Sequence, residues 1–78
     1  MALDFAKQKE FQIIVSCLSE GGTVKAEWYD AAGNIRHRIN VKKTFVGLEK
    51  GISVIFGIDE FGYEYNLSDA DISCIREQ

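Results

Sequence analysis

The sequence predicts a mostly β domain with one N-terminal helix, its strands forming a small antiparallel barrel of about five. Three observations lead there. An apolar set near the N-terminus recurs at helical spacing. Two Asp-x-x-Gly tetrapeptides, "DAAG" and "DEFG", each stand between runs of strand character. Between those turns "ISVIFGI" is apolar on both faces, as a central strand is.

The helix is expected over residues 4–19. Phe11, Ile14, Val15 and Leu18 stand at i, i+3, i+4, i+7, one face of a 3.6-residue period. Asp4 is the candidate N-cap, although Lys7 stands where a capping box needs Glu or Gln. Gly21 and Gly22 supply the left-handed stop. A strand over residues 11–18 is the alternative, because Ile13, Ile14 and Val15 are β-branched.

The sheet is expected over residues 23–77, so that the 78 residues form one domain. "TVKAEWYD" places Val24, Ala26 and Trp28 on one face and Lys25, Glu27 and Tyr29 on the other. "DAAG" then reads as a type I turn closed by a glycine bulge. In the return strand, Ile35, His37, Ile39 and Val41 share a face, opposite Arg36, Arg38, Asn40 and Lys42. "TFVGLEKG" reads as a short extended piece and a turn. "DEFG" repeats the first turn and leads into "GYEYNL", where Tyr63, Tyr65 and Leu67 alternate with Glu64 and Asn66. "SDAD" reads as one short 3₁₀ turn, capped by Ser68 or Asp69, and "ISCIRE" as the last strand.

Net charge is −3, too mild for a nucleic-acid mimic, but the charges are unevenly distributed. Residues 23–50 carry six basic and three acidic side chains; residues 51–75 carry five acidic and none basic. Cys17 and Cys74 read as buried apolar positions in a reducing compartment, too few for a disulfide scaffold. No apolar run has the length of a membrane span, and "MALDFAKQKE" lacks a signal core, so the expected location is cytoplasmic, without membrane partners.

Catalytic and metal chemistry find little support. An EF-hand loop needs Asp-x-Asp-x-Asp-Gly with a later Glu, and "DADISC" supplies only the first pair. The single His37 sits on an apolar strand face and reads as a core or rim residue. The sequence has no Gly-x-Ser-x-Gly elbow and no glycine-rich phosphate loop. No metal, cofactor or enzymatic activity is expected.

A helix followed by short, bent strands suggests an SH3-like or Sm-like small barrel, and the order of residues extends the likeness. "VKAEWYDAAGNIRHRINV" followed by "LEKGISVIFGIDEFGYEYNLSDADISCI" resembles the WYL domain, over about two-thirds of the chain. The first family element corresponds to Val24, Ala26, Trp28, Asp30 and Gly33, the third to Phe56 through Asp59, and the last to Leu67, Ile72 and Ile75. The naming tripeptide falls on Ser53, Val54 and Ile55, and the family's late Arg falls on Asn66. The resemblance therefore implies the barrel and not the ligand site. WYL domains usually accompany a helix-turn-helix, which has no counterpart in this sequence, so it implies a stand-alone or divergent regulatory barrel.

The expected function is a non-enzymatic module that binds a protein, a self-associated homodimer being one form it could take. Its surface would comprise Asp59, Glu60, Phe61, Tyr63, Glu64, Tyr65 and Asp69: aromatic anchors within an acidic rim that meets a basic partner. Because residues 51–75 contain no cation, this acidic surface is expected to matter more than the basic strand. The alternative is nucleic-acid binding, with Arg36, Arg38, Lys42 and Lys43 on phosphates and Tyr29 stacking a base.

Overall fold

The computed structural model describes residues 3–33 and 35–76. It contains helix α1 (Phe5–Ser19) and strands β1 (Thr23–Tyr29), β2 (Arg36–Glu49), β3 (Ile52–Asp59), β4 (Glu64–Asn66) and β5 (Asp71–Ile75). All neighbouring strands are antiparallel, in the order β4-β3-β2-β1-β5.

The helix starts as its cap residue dictates. Asp4 is extended, and its carboxylate accepts the Lys7 N–H at 2.9 Å, satisfying one of the free donors of the first turn. The chain leaves the helix through Gly21 at φ +79°. The buried face is rotated from the expected one. Ile14 and Cys17 are fully buried, Phe11 and Leu18 half-buried, and Val15 is 44% exposed. A face drawn through Cys17 rather than Val15 keeps the period; the cysteine, not the β-branched residue, meets the sheet.

Both Asp-x-x-Gly turns form as expected. Gly33 N–H donates to Asp30 O at 2.8 Å and Gly62 N–H to Asp59 O at 3.1 Å, with the glycines at φ +73° and +86°. Between them β2 is continuous over 14 residues, where the sequence suggested a strand and a separate short piece. A register shift between Val41 and Lys43 hides this continuity, because it breaks the alternation expected to run through Lys42. The β2–β3 hairpin closes on Lys50 and Gly51, both at positive φ, as a two-residue turn of the I′ kind requires.

The core lies on one face of the sheet, where Ile14 and Cys17 meet Val24, Ala26, Val41, Ile55, Leu67 and Ala70. The sheet curls around it. Tyr65 on β4 reaches Trp28 on β1, ring centroids 5.6 Å apart, although β3 and β2 lie between them in the sheet. The edges do not pair: β4 and β5 share no ladder, so the sheet is open and the expected closed barrel is not formed. Residues 67–70 run from one edge to the other, burying Leu67 and Ala70, and Lys7 Nζ donates to Ser68 O at 2.8 Å. The turn there is capped by Asn66, whose side-chain oxygen accepts the Ser68 N–H at 2.8 Å, and not by Ser68 or Asp69.

Cys17 and Cys74 are joined in a disulfide that ties α1 to β5 across 57 residues. This corrects the reading of two free apolar cysteines and removes its support for a reducing, cytoplasmic compartment, since disulfides persist where the surroundings oxidise. Arg76 Nε donates to Glu20 Oε2 at 2.6 Å beside the bond. Among the described residues no helix is long and apolar enough to cross a membrane.

Candidate functional site

The β3–β4 turn is built around Asp59. Its side chain is only 6% exposed, and Oδ1 accepts the N–H groups of Phe61 at 2.9 Å and Tyr63 at 3.0 Å. The second oxygen accepts the Tyr65 hydroxyl at 3.1 Å. Burial by itself would raise this carboxyl's pKa. The N–H groups of Tyr63 and Phe61, the Tyr65 hydroxyl and the Gly62 N–H outweigh it and hold the pKa below the ordinary aspartate range. The Tyr65 hydroxyl is shifted the other way, by burial first and then by its bond to the Asp59 anion.

Asp59 is therefore not a free acidic contact, as the sequence suggested, but the part that shapes the turn. Its engagement leaves Phe61 77% exposed and Tyr63 66% exposed at the hairpin tip. Tyr65 packs against Trp28, which also stacks on His37 with ring centroids 5.4 Å apart.

The turn overhangs a cleft of about 380 Å³. Phe61, Tyr63 and Tyr65 stand on one side, with Arg38, Ile39 and Asn40 of β2 on the other and Lys25 of β1 close by. Glu60 lies at the rim, where Asn40 Nδ2 donates to its Oε2 at 3.4 Å. Charges that the sequence keeps in separate segments thus meet in one place, because β2 returns beside the hairpin. The expectation that residues 51–75 present an acidic surface without cations does not hold around Glu60. Glu64 and Asp69 are exposed but do not line this cleft. Sequence reading missed Lys25 and Asn40; their place follows from β1–β2 pairing and the end of β3, which no local pattern encodes.

The basic strand is partly neutralised. Glu27, in register with Arg38, accepts a hydrogen bond from Arg36 and pairs with Arg38 Nε at 3.1 Å. The Arg36 bond, opposed by burial and reinforced by Arg38, holds Glu27 below the ordinary glutamate range. Tyr29 is 64% exposed opposite Arg36, and Lys42 and Lys43 are exposed at the register shift. The structure does not place these five side chains on one continuous stripe, since the shift after Val41 interrupts it.

No family model matches this chain, and no curated protein or solved structure matches it.

Proposed function

We propose that this chain is a non-enzymatic binding module that acts through protein–protein contact. One observation carries the reading: two large aromatic side chains, Phe61 and Tyr63, stand in solvent on a turn whose amides are bound by a buried carboxylate. Exposed aromatics on a preorganised turn lose little freedom when a partner covers them, and aromatics dominate interface energetics. The neighbouring Lys25, Arg38 and Glu60 offer both charge signs, which sets the choice of partner more than affinity.

The fold reading that goes with it is a divergent small barrel of the SH3-like or Sm-like kind, similar to the WYL domain, with its seam unpaired between β4 and β5. The strand order and the contact of Tyr65 with Trp28 across the curl support it. A regulatory role follows from that kinship and not from any reactive group.

Nucleic-acid binding is the second reading, favoured by Tyr29, Lys42 and Lys43 being exposed near Arg36 and Arg38. The pairing of both arginines with Glu27 weighs against it. Capture of partners from the native host by the tagged chain, with mass determination of the complex, separates the two. The proposal expects a protein partner that survives nuclease treatment. Bound nucleic acid whose affinity falls steeply with salt would overturn it.

A further inference from the structure

Strand β2 is paired on both sides over only part of its length. Residues 36–41 pair with β1, and residues 41–49 pair with β3, whose ladder ends at Asp59 opposite Val41. Beyond that point β3 turns away into the hairpin. Among the described residues the edge of β2 over residues 36–40 therefore has no strand beside it, although it lies inside the sheet's order rather than at its rim.

The direction of the backbone groups follows from the ladder. Asp30 N–H donates to Ile35 O at 3.0 Å, so this is a hydrogen-bonded pair. Antiparallel ladders alternate, which turns the N–H and C=O groups of residues 37, 39 and 41 toward β1 and those of Arg36, Arg38 and Asn40 toward the unpaired edge. That edge opens on the cleft beneath Phe61 and Tyr63. Five residues of strand span roughly 17 Å, enough for a short extended segment.

We propose that the 36–40 edge of β2 takes an extended peptide segment of a partner protein, added as a strand in line with β3, whose side chains alternate between acidic and apolar. The site belongs to the binding-module reading and specifies it. The alternation comes from the two faces of β2. On one face the new strand's neighbours are Arg36 and Arg38, with Lys25 behind them on β1. Opposite charges across a strand pair attract and like charges repel. The two charged β2 side chains that would flank the new strand on this face are both arginines, while the acids Glu27 and Asp71 of the same face stand one and two strands farther away. On the other face the neighbours are His37 and Ile39, next to Trp28 and Tyr65, which suit apolar side chains. Main-chain hydrogen bonds supply affinity and the alternate side chains supply selectivity, as in other strand additions. The 3.4 Å bond from Asn40 to Glu60 marks the closed end of the slot, beside the last rung of β3.

The test uses the intact, oxidised chain and three probes: the capped peptide acetyl-Gly-Val-Glu-Val-Glu-Val-Glu-Gly-amide, its Lys-for-Glu counterpart, and a single-stranded oligothymidylate. Amide hydrogen exchange is read residue by residue. The glutamate peptide should slow exchange at Arg36, Arg38 and Asn40 at least tenfold, and the lysine peptide less than twofold. The Arg38→Glu variant, confirmed as folded by its melting curve, should reverse the preference between the peptides. Protection by neither peptide, equal protection by both, or protection at the β5 edge instead would overturn the proposal. So would protection of the same amides by the oligothymidylate alone, which would make this face a nucleic-acid surface. The wider reading stands or falls separately: if the slot amides stay unprotected while a host protein is still captured through Phe61 and Tyr63, only the strand-addition site is lost.

Discussion

The Tyr65 hydroxyl reaches across the β3–β4 hairpin and donates to the Asp59 carboxylate at 3.1 Å. That bond joins the inward end of the hairpin to its turn, because the other Asp59 oxygen holds the Phe61 and Tyr63 amides. A carboxylate used in this way fixes where two exposed aromatic rings stand.

Replacing Asp59 with Asn should lower the melting midpoint by roughly 4–8 °C, the scale on which a domain of this size responds to one lost buried interaction. Glu60→Gln, at the exposed rim, should change it far less. Thermal melts of both variants at neutral pH check this.

The same carboxylate sets a pH dependence. Its folded pKa lies below the ordinary aspartate value, so the folded state keeps it charged where the unfolded chain would take up a proton. Its contribution is complete above the ordinary aspartate range and is lost as pH falls through the folded value. Acid titration of stability should therefore be steeper for the native chain than for Asp59→Asn in the window between those two values.

Gly33→Ala and Gly62→Ala should each destabilise by more than about 1 kcal/mol, because residues with a Cβ lose roughly 1–2 kcal/mol in the left-handed region. Neither position has an atom within 4 Å of an added Cβ, so the backbone conformation alone is tested. A neutral result in urea titration would refute the bulged-turn assignment at that site.

Ile14→Ala should cost about 2–5 kcal/mol, as buried large-to-small changes do. Val15→Ala should stay within about 0.5 kcal/mol, because surface substitutions rarely do more. Equal losses would mean that the helix packs through the face the sequence suggested.

Reducing the Cys17–Cys74 bond, or replacing both residues with Ser, should cost up to about 4 kcal/mol, the chain-entropy value for a closed loop of this length. The loop spans 57 residues, so nearly every strand lies within it. Melting with and without a dithiol checks the magnitude, and the double-Ser variant should no longer respond to the reductant.

What the sequence disclosed was local. The Asp4 cap, the two Asp-x-x-Gly turns and the doubly apolar run at residues 52–58 each carry their signal within a few neighbours, and each stands where it was expected. What it concealed was long-range or broke a period. The bulge after Val41 makes a single long strand look like two pieces. Cys17 and Cys74 are too far apart along the chain for spacing to show that they meet. Asp59 at the head of "DEFG" is of the residue type whose carboxylate accepts the amides beyond it; what the sequence conceals is its burial and the Tyr65 hydroxyl on its second oxygen. The cleft was invisible for the same reason: Lys25, Arg38 and Asn40 come to Glu60 and Tyr63 only through strand pairing.

If a protein partner docks on the aromatics of the β3–β4 hairpin, as proposed, removing those rings must weaken its capture. The most direct measurement compares Phe61→Ser with Tyr63→Ser, combined, against Lys42→Glu with Lys43→Glu, combined, in capture of the native host partner. Both pairs lie on exposed positions, and melting curves should show both variants folded. The aromatic pair should lower partner binding at least tenfold, while the lysine pair should change chiefly its salt dependence. Loss of binding with the lysine pair alone, with nucleic acid as the captured material, would contradict the proposal.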